Sequence, residues 1–176
     1  MKYAAFLRGI NVSGQKLIKM EELSSIFESA GFKNVKTYLA SGNVVFDAAQ
    51  KSETAVSKKL KTTLHSALGY EVDVMLRTLD ELHALVALDP FQKVKSKGAK
   101  RYLTFLAEPP VKVPKLPLIS AKKNVEVIRI IDRDAFSLVT TIPNGDYPNP
   151  FLEKLLKISA TTRNWNTIEK IINLSC

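Results

Sequence analysis

Cysteine, histidine and tryptophan are scarce in this chain of 176 residues, which has only Cys176, His65, His83 and Trp165 of these types. A lone cysteine cannot form an internal disulfide, which fits a reducing compartment, and its position at the chain end does not suit catalysis. Two histidines and one cysteine are too few for a zinc cluster, and neither histidine accompanies a serine elbow. We therefore expect no metal site and no cofactor.

Long apolar runs are also missing. No run approaches the roughly 20 residues of a membrane helix. The apolar stretch at residues 3–7 is too short for a signal-peptide core. Apolar residues nevertheless make up 45% of the chain, which is enough for a packed core. The expectation is a cytoplasmic protein that does not associate with a membrane.

Acidic residues are few in one segment of the chain. The net charge is +9, and residues 88–123 hold nine basic and only two acidic residues. A concentrated positive charge attracts phosphate groups through long-range Coulomb forces. The sequence leaves open the alternative that these lysine-rich loops only keep the protein soluble.

Hydrophobic periodicity predicts a regular order of elements in residues 1–77. Apolar residues recur at helical spacing in two segments, which end at Gly31 and Gly69. Strand-like runs occupy residues 3–8, 35–39, 43–46 and 71–76. The resulting β-α-β-β-α-β order is typical of the ferredoxin-like split β-α-β arrangement, and a faint repeat between residues 29–39 and 67–76 supports it.

Residues 78–176 are predicted to form a second, smaller α+β unit that packs with the first. Apolar patterns indicate helices at 79–89, 151–158 and 165–174, a strand at 101–107, and a hairpin of 125–131 with 135–142. The four prolines of residues 108–118 exclude a helix interior or a central strand there. The predicted fold class is α+β, with a domain boundary between residues 77 and 78.

Three motifs give the chain a familiar pattern: "AFLRGINVSG" near the start, "KTYLASGNVVF" after the first predicted helix, and "TTRNWNTIEKI" near the end. With these motifs the chain resembles the bacterial family catalogued as domain of unknown function 1697. Members of that family often have a second glycine where this chain has Ser13. The resemblance implies an α+β fold with a ferredoxin-like half, and it implies no activity.

The stretch "GINVSGQK" invites comparison with a phosphate-binding P-loop. Gly9 and Gly14 have the required spacing, but Gln15 occupies the lysine position. Lys16 comes one residue late, and Leu17 follows where a magnesium-binding serine or threonine is needed. The sequence favours a tight turn that needs Gly14 for its dihedral angles, with an anion-binding loop as the alternative.

A pair of carboxylates, Asp132 and Asp134, offers a second comparison, with enzymes that hydrolyse their substrates. The pair lies at the tip of the predicted hairpin in residues 125–142. We expect both to be turn residues whose charges are solvated.

Hydroxyl, amide and guanidinium groups are concentrated in the three motifs, at predicted strand ends and turns. The candidate ligand-binding residues are Arg8, Asn11, Ser13, Ser41, Asn43, Thr162, Arg163, Asn164 and Asn166. We expect them to converge on one cleft around an anion, because guanidinium and N–H groups bind phosphates and carboxylates. The alternative is structural: Asn166 with Glu169 caps the last helix, or Thr161 or Thr162 does so one turn earlier.

Three function classes stay open at this point. The first is a non-catalytic binding module for an anionic ligand, either a nucleotide or the phosphates of a nucleic acid. The second is an enzyme of unknown reaction that uses Arg8, Asn43 and Arg163 as anion clamps, although no general base is evident. The third is a structural or partner-binding protein, for example a homodimer through a free sheet face.

Overall fold

The structure, a computed structural model, describes residues 1–49, 52–92, 94 and 98–174. Cys176 and three lysines of the basic segment, Lys93, Lys95 and Lys97, lie outside the described residues. The described residues contain five helices and nine strands, and the strands form two antiparallel sheets. The α+β fold class is thereby confirmed. None of the helices in these ranges has the length and apolar character needed to cross a bilayer.

The chain divides into two compact units. The first unit is residues 1–83 together with 171–176, and the second unit is residues 84–170. The predicted boundary between residues 77 and 78 lies a little earlier, and it did not assign the last residues to the first unit. Local sequence patterns cannot predict that the last residues of the chain belong to the first unit.

The first unit contains a four-stranded sheet and its two connecting helices. Its elements are β1 (Lys2–Leu7), α1 (Met20–Ser29), β2 (Lys33–Tyr38), β3 (Asn43–Asp47), α2 (Glu53–Leu68) and β4 (Val74–Thr78), followed by the beginning of α3 (Leu79–Leu88). The strand order is β2-β3-β1-β4, and every neighbouring pair is antiparallel. The predicted β-α-β-β-α-β order is thus confirmed.

The core of the first unit joins one sheet face to α1 and α2. It includes Tyr3, Ala5, Leu7, Phe27, Phe46, Leu60 and Leu64, all at most 1% exposed. Alternate residues of β1 point to this side because side chains alternate across a strand. The ring centroid of Phe46 lies 4.6 Å from that of Phe32 and 5.2 Å from that of Phe27. This aromatic cluster anchors the β2–β3 hairpin on the helices.

The second face of the same sheet is also buried. Ala4 pairs with Val45 on β3 and with Arg77 on β4, and Phe6 pairs with Met75. All five side chains are at most 5% exposed. A homodimer through a sheet face stays a prediction.

The second unit contains a five-stranded sheet. Its elements are the end of α3, β5 (Lys100–Leu106), β6 (Leu118–Ile119), β7 (Val125–Ile131), β8 (Asp134–Val139), α4 (Pro148–Leu156), β9 (Ala160–Asn164) and most of α5 (Trp165–Asn173). The strand order is β6-β7-β8-β5-β9, again antiparallel throughout. The proline-rich stretch contributes only the two-residue β6, and β7 and β8 form the predicted hairpin.

Two local predictions in this unit were wrong. Residues 160–164 were considered only as an earlier cap of the last helix, through Thr161 or Thr162, and they form β9 because they pair with β5 and bury their first four residues. The capping atom for α5 is therefore Asn164 Oδ1, which accepts from the Asn166 N–H at 3.0 Å, and Thr161 has no capping role. Asp134, expected as a solvated turn residue, is the buried first residue of β8, whereas Asp132 is exposed with φ +51°.

A buried hydroxyl in the second sheet leads to a stability prediction. Ser137 is fully buried, and its Oγ has no hydrogen-bond partner among the residues that the structure describes. We expect Ser137→Ala to leave the free energy of unfolding unchanged or to raise it by about 1 kcal/mol, because an unpaired buried oxygen is lost. The measurement is urea unfolding followed by far-UV circular dichroism.

Thr104 offers the matched control for that substitution. It is equally buried, and its Oγ1 lies 2.8 Å from Thr162 Oγ1. Thr162 Oγ1 in turn donates to Asn149 Oδ1 at 3.1 Å, so Thr104 must be the donor to Thr162. Thr104→Val is expected to lower the free energy of unfolding by about 1 kcal/mol. Equal losses in both variants would contradict the assignment.

Candidate functional site

The loop after β1 is held in place by one amide side chain, that of Asn11. Its Nδ2 donates to the Ile18 carbonyl at 3.0 Å and to the Ala40 carbonyl at 2.8 Å, and its Oδ1 accepts from the Ile18 N–H at 2.8 Å. Both donors of the amide are therefore used within the protein. Asn11 joins the two ends of its own loop to the turn between β2 and β3.

The same loop ends in a small hairpin at Ser13 and Gly14. The Gln15 N–H donates to the Val12 carbonyl, and the Asn11 N–H donates to the Lys16 carbonyl. Ser13 has φ +50° and Gly14 has φ +74°, as in a type I′ turn. The predicted need for Gly14 in a tight turn is confirmed, and two N–H groups of the loop are already bonded to carbonyls rather than directed at an anion.

The second motif lies beside the first. Asn43 is 1% exposed, and its Nδ2 donates to the Tyr38 carbonyl at 2.7 Å and to Ser41 Oγ at 3.0 Å. The Leu7 N–H donates to the Gly42 carbonyl, and the N–H of the half-buried Arg8 donates to the Asp73 carbonyl. The structure therefore brings the first two motifs together at one end of the first sheet. The amides of Asn11 and Asn43 stabilise the loops there.

The third motif belongs to the second unit and is dominated by Arg163. This side chain is 7% exposed, and its Nη1 donates to Thr161 Oγ1 at 2.8 Å and to the Thr162 carbonyl at 2.9 Å. Burial lowers the pKa of Arg163 to about 10, and the opposing interaction with Tyr147 is smaller. Arg163 still carries its charge at neutral pH. Convergence of all three motifs on one cleft stays a prediction, because they are divided between two units.

A hollow of about 340 Å³ lies in the second unit near this motif. It is lined by Ala121, Gly145, Asp146, Tyr147, Pro150, Phe151 and Lys154. Helix α4 supplies Phe151 and, from its last turn, Lys154, and the loop before α4 supplies Asp146 and Tyr147. The Tyr147 ring is 45% exposed and meets the Tyr102 ring edge to face at 5.6 Å. Burial, and then the proximity of Tyr102, raise the pKa of Tyr147.

The wall of the hollow is fixed by the buried side chain of Asn124. Its Oδ1 accepts from the Asp146 N–H at 2.9 Å, and its Nδ2 donates to the Asp146 carbonyl at 3.0 Å and to the Thr140 carbonyl at 3.3 Å. Gly145 has to be glycine here, since a Cβ would come within 2.6 Å of Asn124 Nδ2. The loop that carries Asp146 and Tyr147 is therefore held in one conformation.

The carboxylate of Asp146 is oriented as well. Its Oδ2 accepts from the Lys122 N–H at 2.9 Å, and Lys122 Nζ bonds to the Asn144 carbonyl. The hydrogen bond from the Lys122 main chain, and then one from Ser120, lower the pKa of Asp146. Asp146 is therefore ionised at neutral pH.

Two further hollows lie in the first unit, and one of them also has an aromatic residue, Phe46, beside lysines. One of about 370 Å³ is lined by Lys61, Thr62, His65, Ser66, Glu71, Val72 and Asp73. The other, of about 260 Å³, is lined by Lys2, Asn34, Val35, Lys36, Val45, Phe46, Asp47 and Leu174. Both mix lysines with carboxylates. Within the described ranges, no group of three metal-ligating side chains is assembled.

Comparison with known proteins places the chain in a family. The family model described as protein of unknown function (DUF1697) matches residues 1–136. The chain belongs to this family. Conserved bacterial protein SP0830 from Streptococcus pneumoniae has a similar fold: its TM-score is 0.68 at 20% identity, with 98% of this chain and 97% of that chain covered. No curated protein matches the chain.

The residues around the hollow of this DUF1697 protein were missed in the sequence. Residues 143–150 indicate only a proline- and glycine-rich connection, and Phe151 and Lys154 read as ordinary helix residues. The one available signal was Tyr147, which lies between the charged residue Asp146 and Pro148, a residue type that often begins a helix. This signal is too weak to predict a hollow, because the hollow depends on hydrogen bonds between Asn124 and Asp146, which are 22 residues apart in the chain.

Proposed function

We propose that the protein is a binding module for an anionic, nucleotide-like ligand, and that this ligand occupies the hollow beside Tyr147. The supporting observation is the lining itself, in which the aromatic residues Tyr147 and Phe151 lie together with Lys154. Flat aromatic rings stack on nucleobases, and lysine binds phosphate as a point charge. The volume of about 340 Å³ falls within the usual range for small-molecule sites.

The distribution of charge supports the same proposal. The second unit holds 15 basic and 8 acidic residues, whereas the first unit holds 11 basic and 9 acidic residues. The excess of positive charge thus belongs to the unit that contains the hollow. Such a field attracts phosphate-bearing ligands and strengthens as salt is removed.

Binding is favoured over catalysis by the titratable groups of the lining. A general base works best with a pKa near the operating pH. The pKa of Asp146 is lowered and that of Tyr147 is raised, so both move away from neutrality. The enzyme alternative would require a base from elsewhere in the chain.

The nine candidate residues have different roles in this proposal. Thr162 bonds to Asn149 of α4, and Arg163 interacts with Tyr147, so both are proposed to support the segments that line the hollow. The other seven are proposed to shape loops and helix ends: Arg8, Asn11, Ser13, Ser41, Asn43, Asn164 and Asn166.

We also infer that the first unit is of the ferredoxin-like kind and that the protein is cytoplasmic. The first inference is supported by the antiparallel order β2-β3-β1-β4 with both helices on one face. The second is supported by the single cysteine of the chain, which fits a reducing compartment.

The binding proposal is tested by calorimetric titration with ribonucleoside 5′-monophosphates, single-stranded RNA and single-stranded DNA at about 50 and 200 mM salt. We expect binding that weakens at the higher salt concentration. Lys154→Gln is expected to lower the affinity about fivefold, because one phosphate contact is lost. Lys112→Gln is the matched control, since Lys112 is exposed in the basic segment and does not line the hollow.

The outcomes separate the possibilities. No binding of any of these ligands at the lower salt concentration would rule the proposal out. Equal losses from Lys154→Gln and Lys112→Gln would leave a diffuse electrostatic surface and would overturn the assignment to this hollow. A preference for RNA or DNA over mononucleotides would identify a nucleic acid as the source of the phosphate.

A further inference from the structure

We infer that Asp146 determines the specificity of the hollow by accepting hydrogen bonds from the ribose hydroxyls of the ligand, so that the site selects ribonucleotides over deoxyribonucleotides. This inference rests on the proposed function. It concerns the one acidic side chain in a lining that otherwise suits an anion.

The position of Asp146 in the lining carries the first step. Asp146 is next to Tyr147 in the chain and interacts electrostatically with Lys154. In a nucleotide the sugar lies between the base and the phosphate. With the base on the Tyr147 and Phe151 rings and the phosphate at Lys154, the carboxylate that neighbours both faces the sugar.

The chemistry of the carboxylate carries the second step. An ionised carboxylate accepts hydrogen bonds and donates none, so it repels a phosphate and requires a donor from the ligand. The 2′- and 3′-hydroxyls of ribose are vicinal donors, and an acidic residue binds them in this way in dinucleotide-binding folds. A deoxyribose lacks the 2′-hydroxyl and leaves part of the carboxylate unpaired.

The rigidity of Asp146 carries the third step. Its main-chain N–H and carbonyl are both bonded to the side chain of Asn124, and its Oδ2 is bonded to the Lys122 N–H. A carboxylate offers about four acceptor positions, so these contacts leave capacity for a ligand. A group held in this way loses little conformational freedom on binding, which favours discrimination.

The experiment compares the four ribonucleoside 5′-monophosphates with their 2′-deoxy counterparts by calorimetry. We expect the wild-type protein to bind the ribo form about tenfold more tightly, as for a hydrogen bond to a charged acceptor. Asp146→Asn preserves the shape of the side chain. It is expected to reduce the ratio of ribo to deoxy affinity to about threefold or less, since a neutral amide oxygen is the weaker acceptor.

Each outcome has a distinct meaning. Equal affinities for the two forms in the wild type would overturn the specificity inference and leave the binding proposal intact. A uniform loss of affinity in Asp146→Asn, with the ratio unchanged, would show that Asp146 only supports the loop. Absence of binding by all eight nucleotides would overturn the specificity inference, and the titrations with RNA and DNA would then decide the binding proposal. The urea midpoint of Asp146→Asn, measured alongside, checks that the variant is folded.

Discussion

Replacement of Trp165 by alanine is expected to lower the free energy of unfolding by about 4 kcal/mol, the usual cost of removing a large aromatic side chain from a core. Trp165 is 2% exposed. Its ring meets that of Phe91 edge to face at 5.2 Å and that of Phe136 at 6.0 Å. Alanine would leave a cavity at the start of α5, and the two phenylalanines would lose their favourable ring contacts.

Trp165→Phe provides the control for cavity formation. Phenylalanine preserves one ring and most of the edge-to-face geometry, so we expect a loss of about 1.5 kcal/mol. Trp165 is the only tryptophan in the chain, so unfolding has to be followed by far-UV circular dichroism in urea rather than by tryptophan fluorescence. A loss below about 1 kcal/mol for Trp165→Ala would mean that the side chain is not a core residue.

Gly42→Ala is expected to lower the free energy of unfolding by about 3 kcal/mol, through left-handed backbone strain and overpacking together. Gly42 has φ +77°, a conformation that residues with a side chain rarely adopt. A Cβ at this position would lie 2.5 Å from Ile10 Cδ1 and 3.0 Å from Leu7 Cβ. Because the Gly42 carbonyl accepts from the Leu7 N–H, the turn cannot move away without breaking the end of β1.

Gly69→Ala is the matched control for Gly42→Ala. Gly69 has nearly the same φ, +76°, but nothing lies within 4 Å of its added Cβ. This substitution measures the backbone strain alone, and we expect it to lower the free energy of unfolding by about 1 kcal/mol. Equal effects of the two substitutions on the urea midpoint would show that the contact with Ile10 is tolerated by repacking, contrary to the prediction.

Local patterns were sufficient for most elements. The helices α1, α2 and α3 have apolar residues at helical spacing, and the β7–β8 hairpin has a turn between two apolar runs, so their identity follows from nearby residues. The strand β9 was not predicted, because its polar residues, Thr161 and Arg163, have no strand-like alternation. They form a strand only because β5 offers a partner, and pairing with a distant segment overrides local propensity.

The candidate site was also predictable only in part. The sequence identified the amides of Asn11 and Asn43 as unusual, but it did not indicate whether they face a ligand or a main-chain carbonyl. In the structure Asn43 bonds to Tyr38 of its own motif, whereas Asn11 bonds to Ala40, which becomes its neighbour only after folding. The hollow beside Tyr147 could not be anticipated, since Asn124 and Gly145 become adjacent only through the β7–β8 hairpin and the loop after it.

By itself, the sequence determined the α+β class, the order of elements in residues 1–77 and the placement of positive charge, because each depends on the spacing and type of residues close in the chain. Only the tertiary structure decided that residues 160–164 form a strand, that Asp134 is buried, and that a hollow opens between Asp146, Tyr147 and Lys154. Those features depend on which distant segments pack against each other, and the free energy of that packing exceeds the local preferences that a linear pattern records.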